Sequence, residues 1–254
     1  MTPWPYPLWI AHRGAGRLAP ENTLAAFRLG AAHGYRAFEC DVKLSTDGVP
    51  FLLHDATLER TTPECGTAGE RPWSELSLLD AGGWLGRQWA GEPLPSLAAI
   101  AAYVQRNGFV LDLEIKPTPG TEHATGVAVA RACTELWRGG ATPLPLLSSF
   151  RPESLQGALE TAPALPRALL LDTLWNGWEG IAKALGCAAV ITHYGLMNAE
   201  LIGRLHAAGM RALCYTVNDP AEARRLLALP DGGIDGIITD AVDRFSPDVA
   251  GVFD

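Results

Sequence analysis

Short apolar runs alternate with longer segments of helical spacing almost from one end of the chain to the other. Residues 8–12, 37–44, 50–54, 109–115, 144–149, 168–172, 188–193, 212–217 and 236–239 read as strands. Residues 21–33, 96–105, 123–137, 152–160, 177–185, 199–207 and 220–229 carry helix-type patterns between them. Neighbouring parallel strands need a long connection, and a helix supplies one. Eight or nine strands with about seven helices in 254 residues therefore predict a parallel (β/α)8 TIM barrel. A doubly wound open sheet is the competing architecture.

One stretch departs from this rhythm. Residues 56–95 hold no clean strand, but they contain Gly66, Gly69, Gly82 and Gly83 together with Trp73, Trp84 and Trp89. A loop of that length without structure of its own is unusual. The stretch is predicted to be a small inserted subdomain after the second strand region, with a short helix over residues 73–79 and its tryptophans in the core. The rest of 1–254 is read as a single catalytic domain.

Composition excludes some classes of function. The formal net charge is -8, which argues against general binding of nucleic acid. An acidic protein that handles an anion must gather positive charge locally, through a metal or a few Lys and Arg. The five cysteines are an odd number with no CxxC spacing and read as reduced, mostly buried thiols. The first residues show neither a basic start nor a long apolar run. The expectation is a cytoplasmic protein without stable membrane insertion, its oligomeric state left open.

The polar residues that could do chemistry fall late in the predicted strands or just after them. These are His12-Arg13, Glu39 with Asp41, His54-Asp55, Glu114 with Lys116, Ser149-Phe150 and residues 215–218. The C-terminal ends of the strands are the working face of a β/α barrel. Two residues apart on a strand means the same side, so Glu39 and Asp41 share a side, as do Glu114 and Lys116. Three carboxylates converging from two strands suit one hard divalent metal ion, Mg²⁺ or Ca²⁺, and no Cys/His spacing favours zinc. Arg13 and Lys116 could each hold a phosphoryl oxygen. Breaking a phosphodiester needs a base for the attacking oxygen and an acid for the leaving one, and His12 and His54 suit both tasks. Phe150 and Tyr215 are candidate pocket walls. Asp112 is read as structural support from deeper in the barrel, His193 has no clear role, and His33, His123 and His206 are expected on the surface.

With these residues in place, the chain resembles the glycerophosphodiester phosphodiesterase family. The resemblance rests on His12-Arg13-Gly14, Pro20-Glu21-Asn22-Thr23, Glu39-Cys40-Asp41-Val42, His54-Asp55, Leu113-Glu114-Ile115-Lys116, Ser149-Phe150 and Thr216-Val217-Asn218, in order and spacing. Within the insertion, Leu79-Asp80-Ala81-Gly82, Trp84 and Gly91-Glu92-Pro93-Leu94-Pro95-Ser96-Leu97 add to it. The resemblance implies a barrel with an inserted subdomain and a soluble glycerophosphodiester as substrate, split into sn-glycerol 3-phosphate and an alcohol. It also implies that His12 and His54 form the acid–base pair, that Glu39, Asp41 and Glu114 ligate the metal, and that Arg13 and Lys116 contact phosphate. Attack by the glycerol 2-hydroxyl and direct attack by water both stay open. Two departures are Tyr215, where the family often has Trp, and Asp240-Ala241-Val242, where a proline commonly follows closely. The competing functions are a phospholipase of C or D type acting on intact lipid and an inactive phosphate-ester binding module. The absence of a basic amphipathic stretch weighs against the first, and a complete set of histidines and acids against the second.

Overall fold

The computed structural model describes residues 4–230, 233–245 and 247. Its strands are β1 (Trp9–Ala11), β2 (Ala37–Leu44), β3 (Pro50–Leu52), β4 (Val110–Ile115), β5 (Leu146–Ser149), β6 (Arg167–Leu171), β7 (Ala189–His193), β8 (Arg211–Tyr215) and β9 (Gly236–Thr239). They pair in the order β1-β9-β8-β7-β6-β5-β4-β2-β3, and a further parallel pairing of β1 with β2 closes the ring. Eight strands make a closed parallel barrel. β3 lies outside it, antiparallel to β2, with Val42 opposite Leu52. The doubly wound alternative is thereby excluded.

The helices are α1 (Leu24–Ala32), α2 (Trp73–Leu76), α3 (Leu97–Arg106), α4 (Glu122–Leu136), α5 (Pro152–Thr161), α6 (Trp178–Ala184), α7 (Ala199–Ala207) and α8 (Pro220–Leu227). Several begin where a polar side chain satisfies a free amide. Thr23 accepts from the Ala26 amide, Ser96 from Ala99 and Asn198 from Leu201. Pro152 and Pro220 open α5 and α8, where a missing N–H costs nothing. α1 starts three residues later than the sequence pattern predicts, because Asn22 sits at φ 59, outside the helical region.

Apolar side chains divide between two sides of the sheet. The larger cluster lies between strands and helices, and includes Phe27, Phe38, Leu111, Leu147 and Leu205. The smaller one fills the barrel from below with Ile10, Ala37, Val110, Leu146, Leu170, Ile191, Leu213 and Ile238. These inward positions continue every second residue up the strands, which aims the polar residues near the strand ends into the mouth.

The segment between β3 and α3 has an apolar cluster of its own, formed by Phe51, Leu53, Leu58, Ala68, Leu76, Ala81 and Leu94. Its helix is one turn, Trp73–Leu76, shorter than predicted. Trp73 and Trp89 are partly buried as expected. Trp84 is not: it is 41% exposed, its indole N–H donating to the Ala81 carbonyl at 2.9 Å. His206 also departs from expectation. It is half-buried and pairs with Asp235 at 2.7 Å, rather than lying free on the surface. His33 and His123 are exposed as predicted. Among the described residues no helix is long and apolar enough to cross a membrane.

Candidate active site

The register of β2 against β4 decides where the acids meet. Asp41 lies opposite Glu114, and Glu39 opposite Asp112. Ligand oxygens of Glu39, Asp41 and Glu114 lie within 4.8 Å of one another, all three residues buried. One oxygen of Asp41, Oδ1, is buried with no hydrogen-bond partner. An oxygen-only donor set with an unsatisfied buried member fits a hard divalent cation.

Two cations hold this cluster together. Arg13 Nε stands 3.2 Å from Asp41 Oδ2, and Lys116 Nζ stands 2.8 Å from Glu114 and 3.6 Å from Asp41. The Asn22 amide group donates to Asp41 Oδ2 at 2.8 Å, while its carbonyl oxygen accepts the Asp41 amide at 3.0 Å. Arg13 and Asn22 both take positive φ, at 51 and 59. Two such residues joined by a backbone hydrogen bond of 2.9 Å are local strain held in place by contacts to the acids.

The acids divide in their proton affinity. Burial pushes the Glu39 carboxyl well up, and Asp41 and Glu114 beside it push further. Burial and Asp41 together raise Glu114 to about 7, against the pull of Lys116. Asp41 is also fully buried, but Arg13, Lys116 and His54 outweigh that burial and hold it below the usual carboxylate range.

Each proposed histidine is held at Nδ1 by a carboxylate. His12 Nδ1 is 2.5 Å from Asp240 Oδ1, and His54 Nδ1 is 2.6 Å from Asp55 Oδ1. Asp240 is kept at about 2: its burial is outweighed by His12 and by the Asn218 amide at 2.9 Å. Asp55 is kept at about 2 chiefly by Arg60. Ionised carboxylates only accept, so Nδ1 carries the proton in both rings and Nε2 is left to exchange one, that of His12 lying 3.7 Å from Glu39 Oε2. Burial lowers His54 below its ordinary value, which favours the neutral ring.

An ion-pair chain ties the insertion to the barrel. Asp55 bonds Arg60 at 2.6 Å, Arg60 bonds Glu21 at 2.7 Å, and Glu21 bonds Arg13 at 3.0 Å. Asp240, Asp55, Arg60 and Glu21 were not singled out for roles by sequence reasoning. Asp55 and Glu21 sit inside quoted motifs and Asp240 opens a segment noted only as a departure, whereas nothing local marks Arg60.

A cavity of about 210 Å³ unites these groups, lined by His12, Arg13, Glu39, His54, Glu114 and Lys116, with Phe150 and Tyr215 as walls. The two rings meet edge to face at 5.7 Å, and Lys116 Nζ lies 5.7 Å from the Phe150 centroid. His193 stays outside that lining. Its Nδ1 accepts the Gly195 amide at 3.2 Å and its ring packs on Tyr194. All nine residues singled out for the site are thus brought to one barrel mouth or its acid floor.

This geometry has close relatives. A glycerophosphodiester phosphodiesterase of Caldanaerobacter subterraneus subsp. tengcongensis is 31% identical over 238 residues, 92% of this chain and 93% of that protein. The structure of an Oleispira antarctica phosphodiesterase in complex with the product sn-glycerol-3-phosphate superposes with a TM-score of 0.84. It is 33% identical, covering 93% of this chain and 94% of the other. A glycerophosphodiester phosphodiesterase of Agrobacterium tumefaciens gives a TM-score of 0.77 at 28% identity, covering 93% and 97%. The model of the glycerophosphoryl diester phosphodiesterase family matches residues 12–244, a span that starts at His12 and runs past Asp240. With the acid cluster and both carboxylate-held histidines inside that match, the chain belongs to the glycerophosphoryl diester phosphodiesterase family.

Proposed function

We propose that this protein hydrolyses small glycerophosphodiesters to sn-glycerol 3-phosphate and an alcohol, using a His12/His54 acid–base pair and one bound Mg²⁺ or Ca²⁺. The observation that carries the reading is the convergence of two carboxylate-held imidazoles with three buried acids and two cations on one cavity. Membership of the family supports the reaction class.

Arg13 and Lys116 bind the non-bridging phosphoryl oxygens and offset their charge. One imidazole Nε2 takes the proton of the attacking oxygen as the new P–O bond forms. The other gives its proton to the alcohol oxygen as the old P–O bond breaks. If the glycerol 2-hydroxyl attacks, the same pair with exchanged tasks admits water to open the cyclic phosphate. If water attacks directly, one passage suffices. Glu39, Asp41 and Glu114 would hold the cation, whose Lewis acidity would polarise a phosphoryl oxygen. Phe150 and Tyr215 shape the wall against which the substrate lies.

The test is release of sn-glycerol 3-phosphate from glycerophosphocholine by purified protein, after EDTA and then with added Mg²⁺ or Ca²⁺. The expected result is release that returns with one of the cations. Absence of release with both cations, on choline, ethanolamine, glycerol and inositol head groups alike, would sink the reading.

A further inference from the structure

The cavity has a closed floor and an open side. Its inner lining includes Asp112, two residues before Glu114 and in register with Glu39, and Ser148, in register with Glu114, together with Leu170 and Ile238. Asp112 is 2% exposed and Ser148 1%. The Ser148 hydroxyl donates to Asp112 Oδ1 at 2.6 Å. The second carboxylate oxygen, Oδ2, is buried and has no hydrogen-bond partner. An unpaired carboxylate oxygen on an apolar floor is unfavourable until a donor arrives. On the open side the cavity runs into a wider groove of about 610 Å³, bordered by Lys43, Glu122, Asp172 and Trp175, which shares His54, Glu114, Lys116, Phe150 and Leu170 with it but not Asp112, Ser148 or Ile238.

The two spaces differ as the two ends of a glycerophosphodiester differ. The alcohol varies in size and charge, which suits the wide groove. The glycerol end is small and constant, and its free hydroxyls are donors. A carboxylate fixed by Ser148, with its other oxygen bare, is an acceptor for them.

We propose that Asp112, pinned by Ser148, receives the free hydroxyls of the glycerol moiety, so that the glycerol end points down the barrel and the alcohol departs through the groove. The inference rests on the diesterase reading above. Asp112 is then a specificity-determining residue and Ser148 a positioning one.

The experiment is calorimetric binding of sn-glycerol 3-phosphate and of propyl phosphate, which lacks the hydroxyls, to the whole protein with saturating Mg²⁺. The wild type is expected to prefer sn-glycerol 3-phosphate by about tenfold, the cost of leaving a buried acceptor without a donor when propyl phosphate binds. Asp112→Leu should bring the two ligands within about twofold of each other by weakening only the first. Asp112→Asn, which keeps an acceptor, should retain most of the preference. A variant Asp112→Leu that keeps the full preference overturns the inference. So does a wild type that hydrolyses glycerophosphodiesters yet binds both ligands equally, in which case the diesterase reading stands. A wild type that binds neither ligand and hydrolyses nothing removes both. If Asp112→Leu does not fold, Ser148→Ala decides: a preference reduced threefold or more supports the inference, and an unchanged one overturns it.

Discussion

His12 and His54 look alike in the sequence, yet each depends on a different carboxylate. Asp240 and Asp55 fix the tautomer and leave Nε2 to exchange a proton. His12→Ala and His54→Ala should each lower kcat by about 10²–10⁴ with an unchanged circular dichroism spectrum. Asp240→Asn should lower kcat by roughly 10–100-fold while leaving KM nearly unchanged, because it disturbs orientation and not contact. The acids carry a pH dependence. Glu114 is raised to about 7 by burial and by Asp41, so the cation-free cluster holds a proton near neutrality. A cation must displace that proton. Its affinity should therefore fall as the pH drops through 7, by about tenfold per pH unit for each proton displaced, Glu39 adding to the effect of Glu114. Ca²⁺ titrations at pH 6 and pH 8 would check this, and equal affinities would show that Glu114 is already ionised.

The element that presents His12 and Arg13 is a turn pressed onto α1. A Cβ at Gly30 would lie 2.1 Å from the Gly14 carbonyl oxygen, so α1 and the turn touch backbone to backbone. The α4–α5 crossing is as close: a Cβ at Gly157 would lie 2.3 Å from the His123 carbonyl oxygen. Gly30→Ala and Gly157→Ala should each destabilise by about 1–3 kcal/mol, seen as a lower Tm. Only Gly30→Ala should also lower kcat, since only that contact positions the catalytic turn. Equal kcat losses would point to a general loosening of the barrel. Elements are also where sequence reasoning was strongest. Short apolar runs located every barrel strand, because these strands are buried on both faces. It overran at α1, where Asn22 is needed at Asp41 and cannot be helical, and within 73–79, where tertiary packing keeps only one turn.

Across the whole molecule, acid repulsion in the mouth is balanced by Arg13 and Lys116, and the insertion is tied in through Arg60 and Glu21. A bound divalent cation would add to that balance. At a concentration 100-fold above its Kd it should stabilise the fold by about 2.7 kcal/mol. For a chain of this size that is roughly a 5–10 °C rise in Tm, lost on adding EDTA and checked by scanning calorimetry. No shift with Mg²⁺ or Ca²⁺ would argue against the acid cluster as a cation site. The sequence alone determined the β/α alternation, the same-side pairs Glu39/Asp41 and Glu114/Lys116, and the placement of His12 just after a barrel strand, because each depends on neighbours a few residues away; His54 instead follows β3, which lies outside the barrel. Only the tertiary structure decided closure of the barrel, the meeting of Asp41 with Glu114, the Asp112–Ser148 floor and the pairing of His12 with Asp240, 228 residues apart. Those contacts depend on strand register and on the order in which strands close the ring, and no local pattern encodes either.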